Sequence, residues 1–177
     1  MAGHSKWAQI KRQKGVNDIK KSKVFSKYSK LISLAARKGA DLSMNPDLRT
    51  VVDKAKAENM PMDNIQRAID KGSGKLGGAA LESVRYEAYG HGGAAIIIDS
   101  ITDNTNRTVS EIKHLLSQNG GKFAQQGSVL WAFNFTDGKP KPVTEVEISE
   151  QDKELLSALT EALEEHDDTQ EVFTNAK

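Results

Sequence analysis

Six cations, Lys20, Lys23, Lys27, Lys30, Arg37 and Lys38, recur at spacings of three, four and seven residues and end in a tandem pair. On a helix turning 100° per residue they share an arc of about 100°. Spacings of three and four stack the ammonium groups about 5–6 Å apart, where like charges repel. Asp18 is the only carboxylate between residues 1 and 40. A surface shaped by solubility alone mixes signs. A row of phosphates would neutralise such a ridge and release its condensed counterions on binding.

Ahead of the ridge, residues 1–16 carry Lys6, Lys11, Arg12, Lys14 and Trp7, and no carboxylate. Cations interleaved with an aromatic suit an arm that grips phosphate while Trp7 stacks on an exposed base. The same residues equally allow Trp7 to fold back as a hydrophobic anchor of a helical domain. Arg107 is a candidate second contact farther along the chain.

Catalysis finds little support. His4, His91, His114 and His166 are far apart and form no HxxxH or HExxH pair, so no metal site is expected. The run Asp103-Asn104-Thr105-Asn106-Arg107 is polar, but it precedes a helix, where such residues cap free N–H groups. The glycines at 90, 92 and 93 have no helix N-terminus behind them and make no phosphate loop. No cofactor and no small-molecule substrate are expected.

The charge is sorted along the chain. Residues 1–75 hold 17 Lys/Arg against 7 Asp/Glu, residues 76–142 hold 6 of each, and residues 143–177 hold 2 against 11. A net charge of +1 therefore conceals a basic head and an acidic tail, and the head asks for a polyanionic partner. The tail's Glu161, Glu164, Glu165, Asp167 and Asp168 read as a solvated helix face over a leucine stripe. The chain has no cysteine, which excludes disulfides and thiolate chemistry. The longest apolar run, residues 94–98, suits a buried strand and is far too short to span a bilayer. No apolar h-region follows the basic N-terminus, so a cytoplasmic location without membrane association is expected.

These groups need elements to hold them. A glycine-rich stretch over residues 71–78 divides the chain into two expected domains, residues 1–76 and 77–177. The first reads as an arm followed by three amphipathic helices, over residues 17–38, 45–59 and 61–72. Asn45 serves as N-cap with Pro46 at the first helical position. The second reads as strands over 83–89, 94–101, 128–135, 143–148 and 171–174, with helices over 106–119 and 150–165. From residue 94 that order is β-α-β-β-α-β, predicting an α+β fold with a ferredoxin-like βαββαβ domain and an extra hairpin strand in front.

The opening Ala2-Gly3-His4-Ser5-Lys6-Trp7 resembles the signature of the YebC/PmpR family, whose mitochondrial relatives are translational activators of cytochrome oxidase. Further matches follow in register: Asn59-Met60-Pro61 with Asp63-Asn64-Ile65 and Arg67-Ala68-Ile69, Arg85-Tyr86-Glu87 with Tyr89-Gly90, Thr102-Asp103-Asn104 with Asn106-Arg107-Thr108, and Gly127-Ser128-Val129. The resemblance implies a helical N-terminal domain, α+β domains behind it, and a cytoplasmic regulator. Some members of that family are described as DNA-binding transcription factors and others as ribosome-associated. This chain departs from the pattern at His91, where proline is usual, and at Met62, where lysine is common. It also resembles a shortened member, because residues 136–142 lead directly to Val143 where a further α+β domain is inserted in the family. The combined reading is a non-enzymatic DNA-binding transcriptional regulator, with a ribosome-associated factor binding ribosomal RNA as the alternative.

Overall fold

The structure is a computed structural model that describes the backbone from Gly3 to Lys177 and side chains from Gly15 onward. It divides into two units, the first ending at Gly78 and the second running from Ala79 to Lys177. Among the described residues, no helix is long and apolar enough to cross a membrane.

The first unit is three helices: α1 (Gly3–Ala36), α2 (Pro46–Ala57) and α3 (Met62–Gly72). Helix α1 starts well before the expected residue 17 and is 34 residues long, roughly 50 Å. The arm expected ahead of it is therefore its own first turns. Residues 3–14 lack apolar periodicity, but half of them are Lys, Gln or Arg and none is proline, so intrinsic propensity favours the helix. Gly15 inside it costs about 1 kcal/mol relative to alanine. Among described side chains, the first from α1 to enter the core cluster is Phe25, while Val16 and Ile19 stay exposed.

That core joins Phe25, Tyr28, Ile32, Ala35 and Ala36 of α1 to Leu48, Val52 and Ala55 of α2 and Ile65, Ala68 and Ile69 of α3. Helices α1 and α3 touch backbone to backbone. A Cβ on Gly72 would lie 2.1 Å from the carbonyl oxygen of Ser33, and the Ser33 hydroxyl donates to the Ala68 carbonyl at 2.8 Å. Buried Asn45 joins two helix ends. Its side-chain oxygen accepts from Leu48 N–H at 3.1 Å, and its amide donates to the carbonyls of Ala35 and Gly39 at 2.9 and 2.7 Å.

The second unit carries strands β1 (Glu82–Tyr89), β2 (Ala95–Thr102), β3 (Lys122–Ala124) and β6 (Thr169–Thr174) in one sheet of order β3-β1-β2-β6, every neighbouring pair antiparallel. Strands β4 (Phe133–Thr136) and β5 (Lys139–Pro142) form a separate hairpin. Helix α4 (Thr105–Gln118) joins β2 to β3, and α5 (Glu150–Glu164) precedes β6. The fold is α+β as expected, and the order is that of a split βαβ sheet. Strand β1, expected as an addition in front, lies between β2 and β3. Of residues 143–148, only Val146 makes a bridge, to Ala176.

Alternation sorts the sheet's two faces. Tyr86, Ala88, Ile96 and Ile98 face α4 and α5, meeting Ile112, Leu116, Leu156, Leu159 and Leu163. Leu155 stays 43% exposed at the rim of α5. On the opposite face Ala95 and Ile97 pack against Val129, Ala132 and Phe133, with Tyr89 and Phe173 alongside. The β4–β5 hairpin and the 3₁₀ turn Leu130–Ala132 supply that second cover.

Candidate nucleic-acid interface

Helix α1 sets the lysine spacing in space. Lys20 is exposed, and Lys23, Lys27 and Lys30 are half-buried along the flank beside the apolar stripe. Arg37 and Lys38 are exposed beyond the helix end. Lys38 donates to Asp47 Oδ2 at 2.8 Å, in the first turn of α2, and that contact raises its pKa. Asp47 thus neutralises the last cation of the ridge. The side chains of Lys6, Trp7, Lys11, Arg12 and Lys14 lie outside those described.

Arg107 sits among carboxylates. Its Nη2 donates to Asp168 Oδ2 at 2.9 Å and Asp103 Oδ1 at 3.0 Å, and its Nε lies 3.9 Å from Glu111 Oε2. The hydrogen bond to Asp168, followed by the charge of that carboxylate, raises the Arg107 pKa. The Thr108 hydroxyl lies 2.6 Å from the same Asp168 oxygen and 2.8 Å from the Thr102 hydroxyl. Asn104 caps α4 by accepting from Arg107 N–H at 3.1 Å. The polar run 102–108 therefore ties the end of β2, the start of α4 and the approach to β6 together.

Three groups here approach metal-ligand geometry, with donor atoms of Glu111, His166 and Asp168 within 4.8 Å of one another. Asp168 backbone N–H lies 3.2 Å from His166 Nδ1, which makes Nδ1 the acceptor. The network thus assigns the proton to Nε2, which donates to Glu111 Oε2 at 2.8 Å. With the Arg107 cation already on Asp168, an incoming metal ion would have to displace that network. The arrangement is a structural clamp.

A second clamp was not legible in the sequence. Glu87 is 4% exposed, and its two carboxylate oxygens accept from the backbone N–H groups of Gly127 and Val129 at 2.7 and 2.8 Å. Tyr89, two residues on and on the same face, donates to the Ser128 carbonyl at 2.8 Å. Trp131 Nε1 then donates to the Tyr89 hydroxyl at 3.2 Å, while the tryptophan stays 50% exposed. Residues 128–135 read as one strand in the sequence, which would have buried half of them. The adjacent apolar pair Leu130-Trp131 breaks strict alternation and was the available signal.

Known proteins resemble this chain over most of its length. Residues 5–75 match the profile described as TACO1/YebC protein N-terminal domain, and residues 81–137 match the one described as TACO1/YebC second and third domain. A probable transcriptional regulatory protein of Chlorobaculum parvum is 49% identical over 169 residues, covering 95% of this chain and 67% of that protein. One from Nostoc is 50% identical over 182 residues, covering 98% of this chain and 70% of its own. One from Aromatoleum aromaticum is 38% identical over 237 aligned positions, taking in 99% of this chain and 98% of that protein. Since this chain has 177 residues, that relative contains internal sequence with no counterpart here. The chain spans 63% of the length of a Halothermothrix orenii relative. Among solved structures, a conserved hypothetical protein of Aquifex aeolicus aligns with a TM-score of 0.80 at 30% identity, over 88% of this chain and 90% of that one.

Proposed function

The chain belongs to the TACO1/YebC family, and on that premise we propose that it is a nucleic-acid-binding regulatory protein, acting on DNA as a regulator of transcription. The observation that carries the reading is the flank of α1 bearing Lys20, Lys23, Lys27 and Lys30, within a head of 17 basic and 7 acidic residues. Phosphates laid along that flank exchange with condensed counterions, and the entropy of their release drives association. The relatives named as probable transcriptional regulatory proteins support the same reading.

Residues 1–76 carry the contact and residues 77–177 act as its scaffold. We assign the protein to the cytoplasm and regard it as non-enzymatic, because its two polar clusters are spent on holding loops and helix ends. The internal sequence present in the Aromatoleum relative corresponds in this reading to the third domain, which this chain lacks. The match to the second and third domains stops at Asp137, in the β4–β5 turn.

A ribosome-associated role on ribosomal RNA is the second reading, and one observation favours it. The described flank is lysine, and lysine on phosphate is a point charge that carries little sequence information. A duplex reader needs Arg, Asn or Gln at base edges. Competition at one salt concentration among promoter DNA, scrambled duplex and ribosomes separates the readings. Binding to one promoter that survives excess scrambled duplex and ribosomes establishes the first, and displacement by ribosomes establishes the second. No binding to any of the three rejects both.

A further inference from the structure

Trp131 is a large aromatic left half in water on a rigid support. Surface loops are ordinarily the most mobile parts of a fold, yet residues 127–131 are held at four points. Gly127 and Val129 are bound by the buried Glu87 carboxylate. Ser128 is bound by Tyr89, and Trp131 donates to that same hydroxyl. Burying a carboxylate is costly unless hydrogen bonds compensate it, and here the compensation comes from this segment. The result is an indole fixed at its edge with its ring exposed.

The surroundings extend the pattern. Phe135 is 42% exposed, and the Arg85 guanidinium lies 4.8 Å from its ring centroid. Between these aromatics Phe133 is buried in the core. Lys122 pairs with Tyr89 across β3 and β1, so its side chain leaves the sheet on the same face as Tyr89. Two carboxylates of this face are already neutralised, Asp99 by Arg85 at 2.6 Å and Glu171 by Lys139 at 2.8 Å. Asp137 in the hairpin turn remains at the far end.

An exposed aromatic with a cation on the same face suits unpaired nucleotides: a base stacks on the ring while the cation meets the phosphodiester. We infer that Trp131, with Lys122 and Phe135 on the same side of the sheet, binds a single-stranded nucleic-acid segment by stacking. This deepens the nucleic-acid reading above and rests on it. It also reassigns the second contact from Arg107, which is held by Asp168, to Trp131. An intact duplex keeps its bases stacked on each other and has none to offer this face.

The test is the affinity of the full chain for labelled oligouridylate, oligothymidylate and a DNA duplex across a salt series. Trp131→Ala should weaken both single strands about tenfold with the salt slope unchanged, since stacking releases few counterions. It should leave the duplex alone, and Trp131→Tyr should retain most of the single-strand affinity. The two single strands separate RNA from DNA as the source. Unchanged single-strand affinity in Trp131→Ala overturns the inference, as does an equal loss on all three probes. If the alanine variant fails to fold, wild-type protein crosslinked to thiouridine-bearing oligouridylate decides, and absence of label on the peptide containing Trp131 overturns it. Sedimentation showing a Trp131-dependent dimer without nucleic acid also overturns it, because a second copy would then be the occupant. Substituting Lys20, Lys23, Lys27 and Lys30 by Gln tests the parent reading separately, through the salt slope on every probe.

Discussion

The Arg107 guanidinium lies 2.9 Å from the Asp168 carboxylate, joining the first turn of α4 to the residue before β6 across 61 positions of sequence. Asp168 is the buried partner, with its side chain only 6% exposed against 44% for Arg107. Two donors, Arg107 and the Thr108 hydroxyl, converge on one of its oxygens.

Replacing Asp168 with Ala should destabilise the second unit by about 1–3 kcal/mol, because the buried Thr108 hydroxyl loses its shortest hydrogen bond and Arg107 its buried partner. Arg107→Ala should lower the melting temperature while leaving the nucleic-acid affinity of the folded protein unchanged. Melting and binding measured on one preparation distinguish this from direct contact. A loss of affinity and salt slope at unaltered stability would make Arg107 a phosphate ligand after all.

Glu87→Gln keeps the volume but replaces one acceptor oxygen with an amide that cannot accept. Gly127 or Val129 N–H then faces a donor. The expected cost is about 1–3 kcal/mol in chemical denaturation, with faster hydrogen exchange confined to the 127–131 segment and its neighbours. Unaltered exchange at Gly127 and Val129 would show that the carboxylate does not hold this loop.

What the sequence disclosed was local. Asn45 and Asn104 cap their helices through bonds to residues three positions on, a pattern contained within one turn. Strand β2 declared itself as an apolar run because both its faces are buried. Strands β3 and β5 did not, since Lys122-Phe123-Ala124 is too short to show a period and the prolines of Lys139-Pro140-Lys141-Pro142 argue against a strand, so both take their form from partners. The start of α1 was missed for the opposite reason: propensity makes that helix without an apolar face. The spacing of the lysine flank was legible because helical geometry alone sets it. The clamps of Asp168 and Glu87 were not, because each depends on tertiary contacts 40 to 61 residues apart.

Asn45 offers a sharper test of packing in the head. Asp is as good an N-cap as Asn in an isolated helix. Here the Asn amide also donates to the carbonyls of Ala35 and Gly39, and an Asp carboxylate would instead oppose them. Asn45→Asp should therefore destabilise the head about as much as Asn45→Ala, by roughly 1–3 kcal/mol. An Asp variant as stable as wild type would mean that only the cap matters.

Gly72→Ala tests the close approach of α1 and α3. Alanine ordinarily favours a helix over glycine by about 1 kcal/mol, but its Cβ would collide with the Ser33 backbone. Backbone cannot swing aside as a side chain can, so overpacking of about 1–3 kcal/mol should prevail. Denaturation of this variant beside an alanine at the open Gly39 or Gly74, both at positive φ, separates steric collision from conformational strain.

Lys20, Lys23, Lys27 and Lys30 changed together to Gln should weaken nucleic-acid binding without unfolding the head. Glutamine keeps the helix propensity and the first two of lysine's four methylenes, so the helix survives while the charge goes. For every phosphate that is no longer neutralised, the slope of log affinity against log salt should fall by about 0.9 on duplex and about 0.7 on a single strand. Lys38→Gln should change the slope less than Lys20→Gln, because Asp47 already neutralises Lys38 at 2.8 Å. The measurement is a salt series on each variant with helicity checked by circular dichroism. An unchanged slope in the quadruple variant, with its helices intact, would remove the α1 flank from the interface. The head's affinity would then have to arise elsewhere among its cations.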